Sequence, residues 1–216
     1  MDAVGIIGLA ASISLLSGWR LYLCVFATGL AMHTGWIALP QQLHSLDVLA
    51  NWWVIGAAGV GALAEFFADK VMWVDSLWDT VHTLVRPVGG ALLALAIVDP
   101  HDTKWQVIAL LLGGGAALLT HGAKAGTRAA VNASPEPFSN WVASVGEDVT
   151  VFGSIWLMFN HPVIMLIVVV LFLAAAAWVA PKIYRLAKRG FHALRKKIRG
   201  VKPDQPAPNG SSPIPT

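Results

Sequence analysis

Met165-Leu-Ile-Val-Val-Val-Leu-Phe-Leu-Ala174 decides the fold class. This unbroken apolar run lies within Pro162–Ala180, a segment without a single charge. About 20 such residues cross the ~30 Å hydrocarbon core of a bilayer as a helix. A membrane barrel strand would instead alternate apolar and polar residues over about ten positions. Lipid offers the backbone no hydrogen bonds, so a spanning segment is a helix or a break buried in protein.

Working outward, five more segments read the same way. They are Ala3–Leu39, Trp52–Ala68, His82–Val98, a stretch from Trp105 that continues to Asn132, and Ser139–Phe159. The first is too long for one straight helix, and Ser17-Gly-Trp-Arg20 interrupts it. The expectation is an all-α, polytopic membrane bundle of about six helices with a broken first segment. Residues 1–181 form the membrane domain, 182–202 a basic amphipathic cytoplasmic helix, and 203–216 a disordered Pro-rich tail. The N-terminus has no Lys or Arg before Arg20. It lacks the basic start of a cleaved signal peptide, so the first segment is expected to remain.

Composition agrees. Of 216 residues, 56% are hydrophobic and 12% charged, against about 25% charged in soluble domains. Mean hydropathy is +0.64. Ten Trp against two Tyr suit the membrane interface, where amphipathic rings collect. These values exclude a disordered chain, a disulfide scaffold and an ordinary cytosolic enzyme. The single cysteine, Cys24, can make neither an internal disulfide nor a Cys-based zinc site.

The net charge of +3 is unevenly placed. Nine of the 15 basic residues fall between Lys182 and Lys202, leaving six in 1–181 against 11 acids, a balance of −5. The tail reads as a topology signal and as a surface for anionic lipids, not for nucleic acid. It places the C-terminus in the cytoplasm, and six spans place the N-terminus there too. Lys70, Lys124 and Arg128 then fall in inner loops and only Lys104 in an outer one.

The informative residues are the ionisable ones near these spans, since a charge at mid-bilayer costs roughly 2.5–3.5 kcal/mol. Glu65 and Asp69 are four apart and share one helix face. His121, Lys124, Arg128 and Asn132 form a basic stripe at spacings of 3, 4 and 4. Asn140, Ser144, Glu147 and Asp148 form a polar face on the fifth segment. Arg86 precedes Pro87-Val-Gly-Gly90, and Arg20 sits in the first break. Each of two helix–loop–helix units thus pairs an acidic helix with a basic one, in opposite order, which suggests a faint duplication. Two readings stay open. Buried ion pairs fix the order of helices in a bundle, or the groups line a polar cavity that opens to the cytoplasm. The number of such groups favours the cavity.

Asn132-Ala-Ser-Pro-Glu-Pro-Phe-Ser-Asn140 reads as a rigid turn, because Pro135 and Pro137 fix φ. Its alternative is a loop, with Glu136 at its centre, that closes over the cavity. Gly56, Gly59, Gly61 and Gly113-Gly-Gly115 read as close helix packing. They follow no strand and are not a nucleotide fingerprint. Glu65, Asp69, Asp75 and Asp79 are oxygen ligands suited to Mg²⁺, Mn²⁺ or Ca²⁺, but their spacing is no known cage. Neither a zinc motif nor a Gly-x-Ser-x-Gly nucleophile is present. His121, Lys124 and Arg128 have the chemistry to grip a phosphate.

Taken together, Ser17–Arg20, Ala64-Glu-Phe-Phe-Ala-Asp-Lys70 with Asp75 and Asp79, Arg86–Gly90, His121–Arg128, Asn132–Asn140 and Ser144-Val-Gly-Glu-Asp148 resemble the bacterial multi-pass membrane proteins of domain of unknown function 4126. The resemblance covers roughly residues 5–160. It implies an integral protein of the bacterial inner membrane and supplies no activity. Glu65-x₃-Asp69-Lys70 is also loosely similar to the acidic-Asp-Lys motif of cation/proton exchangers, with Ala68 where that motif has Gly.

The reading is therefore a small solute or ion carrier with a charged cavity built from helices 2–5. The cavity set is Arg20, Glu65, Asp69, Lys70, Asp75, Asp79, Arg86, His121, Lys124, Arg128, Asn132, Glu136, Asn140, Ser144, Glu147 and Asp148. The alternative is a non-transporting membrane protein, either a lipid-phosphate-handling enzyme or a scaffold. No cofactor is expected, and an enzymatic activity enters only with that alternative. The partners expected are the bilayer, anionic lipids and a possible second copy.

Overall fold

The computed structural model describes residues 3–37, 41–99, 101–132 and 137–200. It is all helical among them: α1 Ala3–His33, a 3₁₀ segment Gln41–Ala50, α2 Trp52–Ala68, α3 Met72–Leu95, α4 Thr103–Asn132, α5 Pro137–Asn160 and α6 Pro162–Gly200. Among the described residues, four helices are long and apolar enough to cross a membrane: Val4–His33, Thr103–Arg128, Trp141–Asn160 and Pro162–Val179. α2 is apolar but shorter. By contact the chain divides into two compact units, residues 1–178 and 179–216. Within the second, α6 runs on through Pro181 as far as Gly200. The Pro-rich tail lies outside the described residues.

α1 is the hub. Its apolar window is 67% buried, against 11–28% for the other three spans. It packs on α2, α3, α4, α5 and the 3₁₀ segment. Small residues permit this approach, as in membrane bundles generally. A Cβ on Gly18 would overlap the Ala117 backbone, and one on Gly90 would meet Ala117 Cβ at 2.5 Å. The α1 serines satisfy themselves without breaking the helix. Ser12 Oγ donates to Gly8 O at 2.5 Å, and Ser14 Oγ to Ala10 O at 2.7 Å and across to Gly90 O at 3.1 Å. Of the glycines expected to pack, Gly59, Gly61, Gly113 and Gly114 do so. Gly56 and Gly115 face open space.

The break expected near Ser17–Arg20 is a kink at Arg20, where φ −142° and ψ 79° leave the helical region while helix continues on both sides. The chain leaves helix after His33 and turns at Gly35, φ 75°. The following 3₁₀ segment has no counterpart in the sequence reading. Its logic is a period of three: Leu43, Leu46 and Leu49 fall on one face and are 0%, 0% and 6% exposed.

α3 starts ten residues before the expected His82, at Met72. It is amphipathic in the membrane sense, inside out. Asp75, Asp79, His82 and Arg86, spaced 4, 3 and 4, are buried, while Trp73, Leu77, Val81, Leu84 and Val88 are exposed. Its charges are why it is absent from the four apolar spans. Eight of the ten Trp side chains are also exposed, several of them in the first turns of α2, α3 and α4. That is the placement an interfacial aromatic belt requires.

Candidate functional site

Two clusters of charge meet at Lys124. The first centres on Arg86, fully buried in α3. Its Nη2 lies 2.5 Å from Glu65 Oε1 of α2, and its Nη1 lies 3.4 Å from Asp79 Oδ1, about two turns earlier on the same face of α3. The same Nη1 is 2.7 Å from His121 Nδ1 of α4. Arginine only donates, so His121 Nδ1 must accept. Its proton is then on Nε2, which stands 3.1 Å from both the Asp79 carbonyl and Thr83 Oγ1. The contact therefore requires a neutral imidazole.

The second cluster centres on Arg20 at the α1 kink. Nη1 pairs with Asp69 Oδ2 at 2.6 Å and Nη2 with Glu147 Oε2 at 3.2 Å. Nη2 also donates to Ser144 Oγ at 3.1 Å and Ser144 O at 3.2 Å. Nε is 3.1 Å from Asp148 Oδ1, an ionic contact without hydrogen-bond alignment. Arg128 of α4 grips Glu147 with both ends of its fork, Nε to Oε1 at 3.2 Å and Nη2 to Oε2 at 2.8 Å. It also reaches Asp69 Oδ2 at 3.2 Å. Such bidentate pairs are the strongest of their kind. Lys70 lies 3.3 Å from Ser144 Oγ and over the Phe66 ring.

Lys124 bridges the clusters. Its Nζ stands 3.4 Å from Glu65, 3.6 Å from Asp69 and 3.9 Å from Glu147. Five carboxylates (Glu65, Asp69, Asp79, Glu147, Asp148) thus face four cations (Arg20, Arg86, Lys124, Arg128), drawn from all of α1–α5. Asp69, just past the end of α2, is pulled two ways. Burial raises its pKa, but Lys124, Arg20 and Arg128 outweigh that and hold it below the ordinary value.

Two clefts flank the network. One of about 220 Å³ between α3 and α4 is lined by Asp75, Ser76, Asp79, Thr80, Thr83 and Arg128, among others. The other, of about 430 Å³, lies between α1, α2 and α5 and has Arg20, Glu65 and Asp148 beneath apolar walls.

Most of the expected set therefore comes together: Arg20, Glu65, Asp69, Lys70, Asp79, Arg86, His121, Lys124, Arg128, Ser144, Glu147 and Asp148. Asp75 is buried and lines the smaller cleft. Glu136, and the side chains of Asn132 and Asn140, lie outside the described residues. The two helix pairs are joined as their complementarity suggested, by Glu65–Arg86 and Arg128–Glu147. Links across the pairs, Lys124–Glu65 and Arg20 to both Asp69 and Glu147, make them one network. Of the groups considered as metal ligands, Glu65, Asp69 and Asp79 are engaged by arginine or lysine. Among the described residues, no group of three or more His, Cys, Asp or Glu is disposed to hold a metal ion.

Sequence reasoning missed Tyr22, Thr83 and His82. Tyr22 Oη is 3.1 Å from His82 Nε2, and His82 stacks on Trp78. The 4-3-4 spacing of Asp75, Asp79, His82 and Arg86 was the available signal.

No curated protein and no solved structure matches the chain. A family model described as domain of unknown function 4126 matches residues 7–182. With its long apolar helices, inward-facing charges and this match, the chain is a membrane protein belonging to the family of domain of unknown function 4126.

Proposed function

We propose that the protein is a small solute or ion carrier of the bacterial inner membrane, with the ion-pair network as its working part. One observation carries the reading: Lys124 is shared by three carboxylates at 3.4, 3.6 and 3.9 Å. A tightly paired ammonium would sit near 2.8 Å from one oxygen. A cation held loosely in a nest of acids is one that an incoming cation can replace. The clefts on either side supply routes to it. Opening and closing would then be an exchange of partners among Arg20, Lys124 and Arg128, each of which already touches carboxylates from two helices. Both termini face the cytoplasm in this reading, and the basic C-terminal segment rests on anionic headgroups.

The test is flux into liposomes across a panel of cations and small charged solutes. Glu147→Gln and Arg128→Gln should abolish movement while the protein stays folded and monodisperse. No flux for any solute, or loss of folding in both variants, would refute the carrier.

A second reading, a non-transporting scaffold, draws support from the near balance of the network, five acids against four cations. Its lipid-phosphate-handling form has less support, since His121 accepts from Arg86 and Arg128 grips Glu147 with both ends of its fork. Turnover of a lipid phosphate by purified protein would restore it.

A further inference from the structure

The larger cleft holds an asymmetry that the ion-pair network does not use. Glu65 is 1% exposed, and both of its cationic partners, Arg86 and Lys124, bind the same oxygen, Oε1. Its other oxygen, Oε2, is buried without a hydrogen-bond partner among the described residues. A buried acceptor left without a donor is costly, more so when charged. Glu65 also lines the cleft between α1, α2 and α5, together with Asp148 and Arg20. Arg20 Nε also lacks a hydrogen-bond partner among the described residues, but it is held 3.1 Å from Asp148 Oδ1, while the other two nitrogens pair with Asp69 and Glu147. Of the ionisable residues that line this cleft, two are acids and one is basic, and one of the acids keeps a spare oxygen. It calls for a donor.

The rest of the lining is apolar, with Leu23, Phe26, Ala62, Leu63 and Phe152 among it. Leu63 is 60% and Phe152 49% exposed, as side chains that meet lipid in a membrane bundle are. The volume, about 430 Å³, is within the ~300–1,000 Å³ of small-ligand sites. An apolar mouth with an acidic end fits a molecule arriving from the bilayer with a cationic head.

We propose that this cleft binds an ammonium-headed amphiphile from the membrane. The head donates to Glu65 Oε2 and Asp148, and the chain lies along Phe26, Leu63 and Phe152. The site shares Glu65 with the network at Lys124 but uses its other oxygen, and binding is readable without any flux.

Native mass spectrometry of the full chain in maltoside micelles tests it, with dodecylammonium, dodecanoate and ethylammonium as probes. Dodecylammonium should be retained at least about tenfold more tightly than dodecanoate, the scale of one charge-assisted hydrogen bond. Ethylammonium, lacking the chain, should not compete. Ala62→Phe fills the cleft without touching an ion pair and should weaken dodecylammonium by about tenfold or more. Glu65→Gln should do likewise if it folds, and Ala62→Phe decides if it does not. Equal retention of dodecanoate, or undiminished binding by Ala62→Phe, would overturn the proposal. Equal binding of ethylammonium would assign the site to a free amine and overturn the lipid source.

Discussion

Arg86 has the fewest alternatives of any charge in the network. It is 0% exposed and holds Glu65, Asp79 and His121 at once. Removing one partner of a buried pair strands the other and costs about 3–5 kcal/mol. Arg86→Gln should sit at the upper end of that range, because Glu65 would keep only Lys124 at 3.4 Å. Arg128→Gln should sit at the lower end, because Glu147 keeps Arg20 at 3.2 Å. Thermal unfolding in one detergent ranks the two, and the reverse order would contradict the network as described.

Asp69 gives a pH dependence whose sign is fixed. Lys124, Arg20 and Arg128 hold its pKa below the ordinary value. Its ionisation therefore stabilises the fold above the ordinary carboxylate pKa of about 4, and that contribution is lost as pH falls through the lowered value. The melting temperature should fall on acidification below about pH 4, and Asp69→Asn should flatten that fall. A wild-type profile no steeper than that of the variant would exclude this role. Legibility at this scale was uneven. The charge on Glu65 was plain in sequence, but the division of its two oxygens was not, because it depends on where Arg86 and Lys124 arrive from two other helices.

Among the helices, α1 is defined by what it lacks. Gly18 leaves no room for a side chain against Ala117 of α4. Gly18→Val should force the helices apart, and overpacking of this kind costs about 1–3 kcal/mol. A melting temperature unchanged from wild type would mean the contact is not tight. Cys24, 0% exposed in the same helix, should resist maleimide until the bundle unfolds. Rapid labelling of folded protein would contradict its burial. The α1 break was legible from Ser17–Arg20, because a polar group interrupting an apolar run must leave the lipid. The start of α3 was not. Its Asp75 and Asp79 look like loop residues to any reading that equates a span with unbroken hydropathy, and only packing shows that both are buried beside Arg86.

For the whole molecule, the expected orientation rests on basic loops and the tail. His101→Cys in a Cys24→Ser background should react with an impermeant maleimide added outside intact cells, and a tag placed after Thr216 should not be reached. The opposite pattern would invert the topology. Within residues 1–178, charge sits at the centre and oil at the surface. Lipid rewards that arrangement, as water rewards the reverse.

The amino-acid sequence by itself determined that this chain is helical, enters a membrane and carries more ionisable groups than lipid tolerates unpaired. Those properties follow from hydropathy and helical spacing, which are local. Which carboxylate meets which cation, and which oxygen is left over, only the tertiary structure decided. Ion pairs form between side chains as far apart in the chain as Arg20 and Asp148, and their geometry is set by how closely glycine-bearing helices approach.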